Sequence, residues 1–129
     1  MKNTVIAGII ILFFVLTGCN REPAIEPSAD FTINLINNTT QIQTDFVMYT
    51  DKIKGEWATF FKGNDSVHTY STDFYRALGV NLDLELDSVV INGYSSAGSY
   101  QLTVVASSSG NWNKDYLQDV KTITITVTE

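Results

Sequence analysis

The stretch Gly93-Tyr94-Ser95-Ser96-Ala97-Gly98-Ser99-Tyr100-Gln101-Leu102-Thr103-Val104-Val105-Ala106 decides the fold. Tyr100, Leu102, Val104 and Ala106 recur at every second position, the spacing of side chains on one face of a strand. Working outward, the same period returns. Phe31, Ile33 and Leu35 alternate with polar neighbours, and Ile42, Thr44, Phe46 and Met48 form one face with Val47 and Tyr49 on the other. Trp57-Ala58-Thr59-Phe60-Phe61 and Val67-His68-Thr69-Tyr70 are β-prone runs, each following a glycine-containing stretch. Val80, Leu82, Leu84 and Leu86 alternate with Asn81, Asp83, Glu85 and Asp87, which predicts a strand with one acid-and-amide face. Val89-Val90-Ile91 leads into an Asn92-Gly93 turn, and Val120, Ile123, Ile125 and Val127 keep the period if a one-residue offset falls near Lys121. Only Ser71–Leu78 has helical spacing, through Phe74, Tyr75 and Leu78, with Thr72 or Asp73 as the cap. About seven or eight short strands in one domain predict an all-β sandwich. Phe31, Phe46, Phe60 and Tyr100 are its expected core aromatics.

The totals (129 residues, 44% hydrophobic, net charge −6) hide an uneven distribution. Val5–Leu16 is a run of twelve residues without a polar side chain, preceded by Lys2. A bilayer span needs about 20 apolar residues, so this run fits a secretory signal peptide instead. Its exit, Leu16-Thr17-Gly18-Cys19, resembles the bacterial lipobox. That resemblance implies cleavage before Cys19 and lipidation of Cys19, with several acyl chains giving the stable membrane hold that one chain cannot. Residues 1–18 are then a removed signal, 19–28 a lipidated Cys with an extended tether stiffened by Pro23 and Pro27, and 29–128 the domain. Asn20 stands where an Asp would resemble an inner-membrane retention signal, which points to the outer membrane, on either face. Loss of residues 1–18 removes one of eight basic residues and none of fourteen acids, leaving a formal charge of −7. That balance argues against a nucleic-acid partner, which needs clustered Lys and Arg. Cys19 is the only cysteine, so no internal disulfide is available and the core must hold by packing.

Gly93–Val105, with its Tyr, glycine-containing turn, second Tyr and alternating strand, resembles the late strands of PKD-like (polycystic-kidney-disease-type) immunoglobulin-like domains. Pro27-Ser28-Ala29-Asp30-Phe31 is similar to the opening of that family. The middle departs: the family's Trp-x-Phe-Gly-Asp-Gly run is represented by Trp57, Phe60 and a displaced Gly63-Asn64-Asp65. The resemblance implies an immunoglobulin-like sandwich with Trp57 in its core, and with the lipobox it resembles small Bacteroidota lipoproteins found near glycan-uptake systems. It implies no active site, because this fold class hosts many functions.

Chemistry is sparse. His68 is the only histidine, which excludes a His-rich metal site, and Ser66, His68 and Asp65 are too close in sequence to form a nucleophilic relay. We therefore expect no catalytic residue, no metal site and no cofactor. On an extended strand Asp83 and Asp87 would lie about 13 Å apart, too far for one calcium ion. Asn38-Thr39-Thr40 reads as a polar turn. The candidate binding residues are Asn111, Trp112, Asn113, Asp115 and Tyr116, in a polar loop over 107–116 between the last two strands. A flat aromatic face beside amides and acids is what a sugar ring requires. Trp112 has a second reading, as a lid folded over the open end of the sandwich. The sequence thus predicts a non-catalytic outer-membrane lipoprotein binding glycan or an envelope protein. The alternative is a structural or assembly subunit docking on a larger envelope complex by a sheet edge or face.

Overall fold

The computed structural model describes residues 25–63, 79–109 and 116–129. The described chain is all-β. Its strands are β1 (Ser28–Ala29), β2 (Thr32–Ile33), β3 (Thr39–Gln41), β4 (Phe46–Tyr49), β5 (Ile53–Lys54), β6 (Trp57–Phe61), β7 (Val80–Leu82), β8 (Ser88–Ile91), β9 (Gly98–Ser109) and β10 (Tyr116–Thr128). They form a five-stranded sheet in the order β3-β10-β9-β6-β7, a three-stranded sheet β2-β4-β8 and a small pair β1-β5. One apolar cluster joins all three, in a sandwich-like arrangement: Ala29, Phe31, Phe46, Met48, Ile53, Phe60, Ile91, Leu102, Val104 and Ile125 all contribute to it. All four expected core aromatics are buried within it. Each fully buried side chain of the Leu102 or Phe31 type stabilises by about 1.5–3 kcal/mol relative to its exposed state.

The hairpin β9-β10 is the spine. It pairs without interruption from Tyr116↔Ser109 to Val127↔Gly98. The offset expected near Lys121 is therefore absent. The continuous register instead turns Val120 outward, where it is 42% exposed, and Lys121 inward. Lys121 is satisfied there: its Nζ donates to Asp30 Oδ1 (2.6 Å) and to the Phe31 carbonyl (2.8 Å). Asp119 on the same face accepts the Ala29 amide at 2.7 Å. Charged residues at this end of β10 thus hold the backbone that passes from β1 to β2. The ion pair keeps the half-exposed Asp30 carboxyl below its ordinary range, through its hydrogen bond and charge contact with Lys121.

Both spine strands are long rather than short, and Ser107 and Ser108 belong to β9, not to a loop. From Leu102 to Ser108, β9 is buried on both faces. Gly79 lies close over the outer face of the neighbouring strand β6, where an added Cβ would meet Thr59 Cγ2 at 2.2 Å.

Two further expectations are corrected. Residues 42–45 turn rather than extend, leaving Ile42 and Thr44 exposed, while Phe46 and Met48 face the core as expected. The acid-and-amide strand stops at Leu82. Asp83 Oδ1 accepts the Glu85 amide (3.0 Å) and the Leu86 amide bonds to the Asp83 carbonyl (3.3 Å), so the side chain closes a turn that a ladder would have needed open. The extended-strand spacing of Asp83 and Asp87 therefore does not apply. Among the described residues no three His, Cys, Asp or Glu side chains group as metal ligands. The polar turn is carried by Asn37 and Asn38, both at positive φ (51° and 57°), as a two-residue hairpin loop requires, while Thr39 and Thr40 start β3.

The resemblance-bearing stretch folds as an aromatic stack. The Tyr94 and Tyr100 rings lie 4.0 Å apart between centroids, and Phe46 stacks on Tyr94 at 6.2 Å. The Tyr100 hydroxyl donates back to the Ser96 carbonyl at 2.7 Å, near the start of β9. The Tyr94 hydroxyl donates to the Lys62 carbonyl (2.8 Å), and the Lys62 ammonium sits 4.7 Å over the Tyr94 ring. Burial raises the Tyr94 phenol far above its ordinary value, with Tyr100 adding to it, and burial lowers Lys62.

Candidate functional site

Parity along β6 decides where the aromatics go. Ala58 and Phe60 are buried in the inter-sheet core, opposite Ala106 and Val104 of β9. Trp57, Thr59 and Phe61 must then face the other way. The expectation that Trp57 is a core residue is overturned: it is partly exposed on the outer face of the five-stranded sheet.

Three strands bring a set of side chains together there. Trp57 lies opposite Ser107, and Ser107 lies opposite Gln118, so the three form one row across β6, β9 and β10. In the next row Tyr116 faces Ser109. The Trp57 and Tyr116 rings stand 6.3 Å apart at an angle of 36°. Gln118 Nε2 donates to the Tyr116 hydroxyl (3.1 Å), and that hydroxyl and the amide both reach Ser107 Oγ at 3.4 Å. Glu56 closes the margin, its Oε2 accepting from the Ser109 amide (3.0 Å) and hydroxyl (3.1 Å). Gly55 makes this approach feasible. At φ 148° it carries the chain so near β9 that a Cβ would stand 2.9 Å from the Ser107 carbonyl oxygen.

The result is a shallow surface with two tilted aromatic faces and a fringe of amide, hydroxyl and carboxylate. Tyr116 is 44% exposed and Glu56 is exposed, Trp57 and Gln118 are partly exposed, and Ser107 is buried beneath them. Such a surface can stack a flat apolar face and hydrogen-bond hydroxyls at its edge. It holds no nucleophile paired with a base among the described residues.

Of the candidate binding residues, Tyr116 is placed in β10, at the head of this surface. Asn111, Trp112, Asn113 and Asp115 lie outside the described residues, as do His68, the 71–78 segment and the lipobox Leu16-Thr17-Gly18-Cys19. Sequence reasoning missed Trp57, Gln118, Ser107 and Glu56 as neighbours of Tyr116. The signal was present in the β6 parity, since Ala58 and Phe60 on one face leave Trp57 on the other. No family model matches the sequence, and neither does any curated protein.

Proposed function

We propose that this chain is a non-catalytic glycan-binding module, carried as a lipoprotein on the outer membrane through Cys19, and that Trp57 and Tyr116 form its sugar platform. The tilted aromatic pair carries the reading, because it presents 36°-inclined faces beside the Gln118 amide and the Glu56 carboxylate at the partly exposed end of the sheet's outer face. The PKD-like, immunoglobulin-like identity of the sandwich is part of the same reading. The back-bond of Tyr100 to the Ser96 carbonyl supports it, since a tyrosine anchoring the start of a long strand to upstream backbone is an immunoglobulin-fold feature. The outward Trp57 is a departure from that family.

The experiment is retention on polysaccharide affinity gels and titration with soluble oligosaccharides. Replacing either aromatic by Ala removes a stacking contact of about 1–1.5 kcal/mol, so Trp57→Ala and Tyr116→Ala each weaken binding about tenfold. Trp112→Ala measures whether the 111–115 segment, which precedes Tyr116 in the sequence, shares in it. Wild-type protein that is not retained by any of a broad glycan panel refutes the reading. The anchor is tested separately: Cys19→Ser releases the protein from the membrane fraction, and persistence there refutes the lipobox.

A further inference from the structure

A second surface lies where β7 ends the five-stranded sheet and β8 ends the three-stranded one. Between these two edges, among the described residues, the core is open. A cavity of about 370 Å³ has Phe60, Leu82, Val89 and Ile91 among its lining. Val80, Leu86 and Val90 stand at its rim, 60%, 52% and 63% exposed. Large apolar side chains exposed together at the margin of an apolar cavity mark an interaction site more than a solvent face.

The backbone of β8 gives the groove a direction. The Thr50 amide bonds to the Asp87 carbonyl, in the same register that pairs Met48 with Val89 and Phe46 with Ile91. By the two-residue period of an antiparallel ladder, Val89 and Ile91 spend their amides and carbonyls on β4, while Ser88 and Val90 turn theirs outward. The alternation is consistent on the other strand. Val47, opposite Val90, directs its carbonyl to the Asn34 amide (3.1 Å) and its amide to Asn34 Oδ1 (2.7 Å), away from β8. Among the described residues no strand pairs with the Ser88–Val90 edge.

Charge is the third feature. Asp83, Glu85 and Asp87 crowd the turn joining β7 to β8 at one end of the groove. Lys62 lines the groove but is held by the Gly93 carbonyl at 2.9 Å.

We infer that the β8 edge and the groove beside it receive an extended segment of a partner protein, added as a strand. Its backbone pairs with Ser88 and Val90, its alternate apolar side chains enter the groove, and a Lys or Arg at one end meets the 83–87 carboxylates. Strand addition of this kind takes affinity from main-chain bonds and specificity from pockets for alternate side chains. The inference is independent of the sugar platform, which lies across β6, β9 and β10.

The probe is a synthetic peptide alternating Val and Thr with two lysines at one end, compared with the same peptide carrying two glutamates. Fluorescence anisotropy on the intact domain reads binding. The lysine peptide binds, tighter at low salt, and the glutamate peptide binds several-fold more weakly. Val90→Pro removes an outward amide while leaving the β4 ladder intact, and weakens binding about fivefold or more. Should that variant unfold, the pair Glu85→Lys and Asp87→Lys, both on exposed side chains, reverses the peptide preference with the backbone untouched. Equal binding of the two peptides, unchanged binding by a folded Val90→Pro variant, or self-association of the domain through this edge in place of peptide binding each overturns the inference.

Discussion

Replacing Trp57 and Phe60 separately by Ala distinguishes the outward tryptophan from a core one. The two residues sit three positions apart on β6, yet their environments differ in kind. Phe60 is 8% exposed and belongs to the core cluster, whereas Trp57 is partly exposed and its ring contact is with Tyr116 at 6.3 Å. Phe60→Ala leaves a cavity among close-packed neighbours and costs about 3–5 kcal/mol. Trp57→Ala loses one cross-strand aromatic pairing and partial burial, together about 1–2 kcal/mol. With a urea slope of about 1.5 kcal/mol per molar for a domain of this size, the midpoints fall by about 2–3 M and about 1 M respectively. Far-UV circular dichroism reads both without relying on tryptophan emission, which Trp57→Ala itself alters. Equal losses for the two variants, at unchanged slope, would refute the outward placement of Trp57 and with it the sugar platform.

Three other outcomes follow from the same geometry. Asp30 has its carboxyl held low by Lys121, so its contribution to stability is present above the ordinary carboxylate range and is lost as pH falls through the folded-state value. Asp30→Asn therefore flattens part of the acid limb of a stability–pH curve, and an unchanged limb contradicts the assignment. Tyr94 has its phenol raised by burial, so the folded form resists ionisation and stability declines as pH rises above about 10, the unfolded value. Tyr94→Phe shallows that alkaline decline, measured by urea midpoints across the same range. Gly55→Ala places a Cβ against the Ser107 carbonyl in a backbone region that side chains avoid, and costs about 1–3 kcal/mol with loss of oligosaccharide binding. Binding that survives at full strength would separate Gly55 from the platform.

The alternation in β9 was legible because one face of that strand meets nothing but core: Tyr100, Leu102, Val104 and Ala106 are all buried. Phe31, Phe46 and Phe60 were legible for the same reason. The reading failed where a side chain competes for its own backbone, as Asp83 does when it takes the Glu85 amide and ends β7. It also failed where the inner face is polar by necessity. Lys121 looked like an outward residue needing an offset, but the Phe31 carbonyl and the half-exposed Asp30 give it partners at the margin of that face. Tyr116 was singled out from local composition alone. Its partner Trp57 was not, because their meeting depends on the registers of β6 on β9 and of β9 on β10, which no local pattern encodes. The groove beside β8 was likewise invisible, since the acid-and-leucine stretch reads as a strand until its turn is known.

The most direct test of the sugar platform is amide chemical-shift mapping of the ¹⁵N-labelled domain during titration with the oligosaccharide that its affinity gel selects. The account predicts shifts concentrated at residues 55–59, 107–109 and 116–118, and their disappearance in Trp57→Ala. Shifts confined to the β7–β8 flank around Leu86 and Val90, or a titration that leaves the Trp57 and Tyr116 amides unmoved, would contradict it.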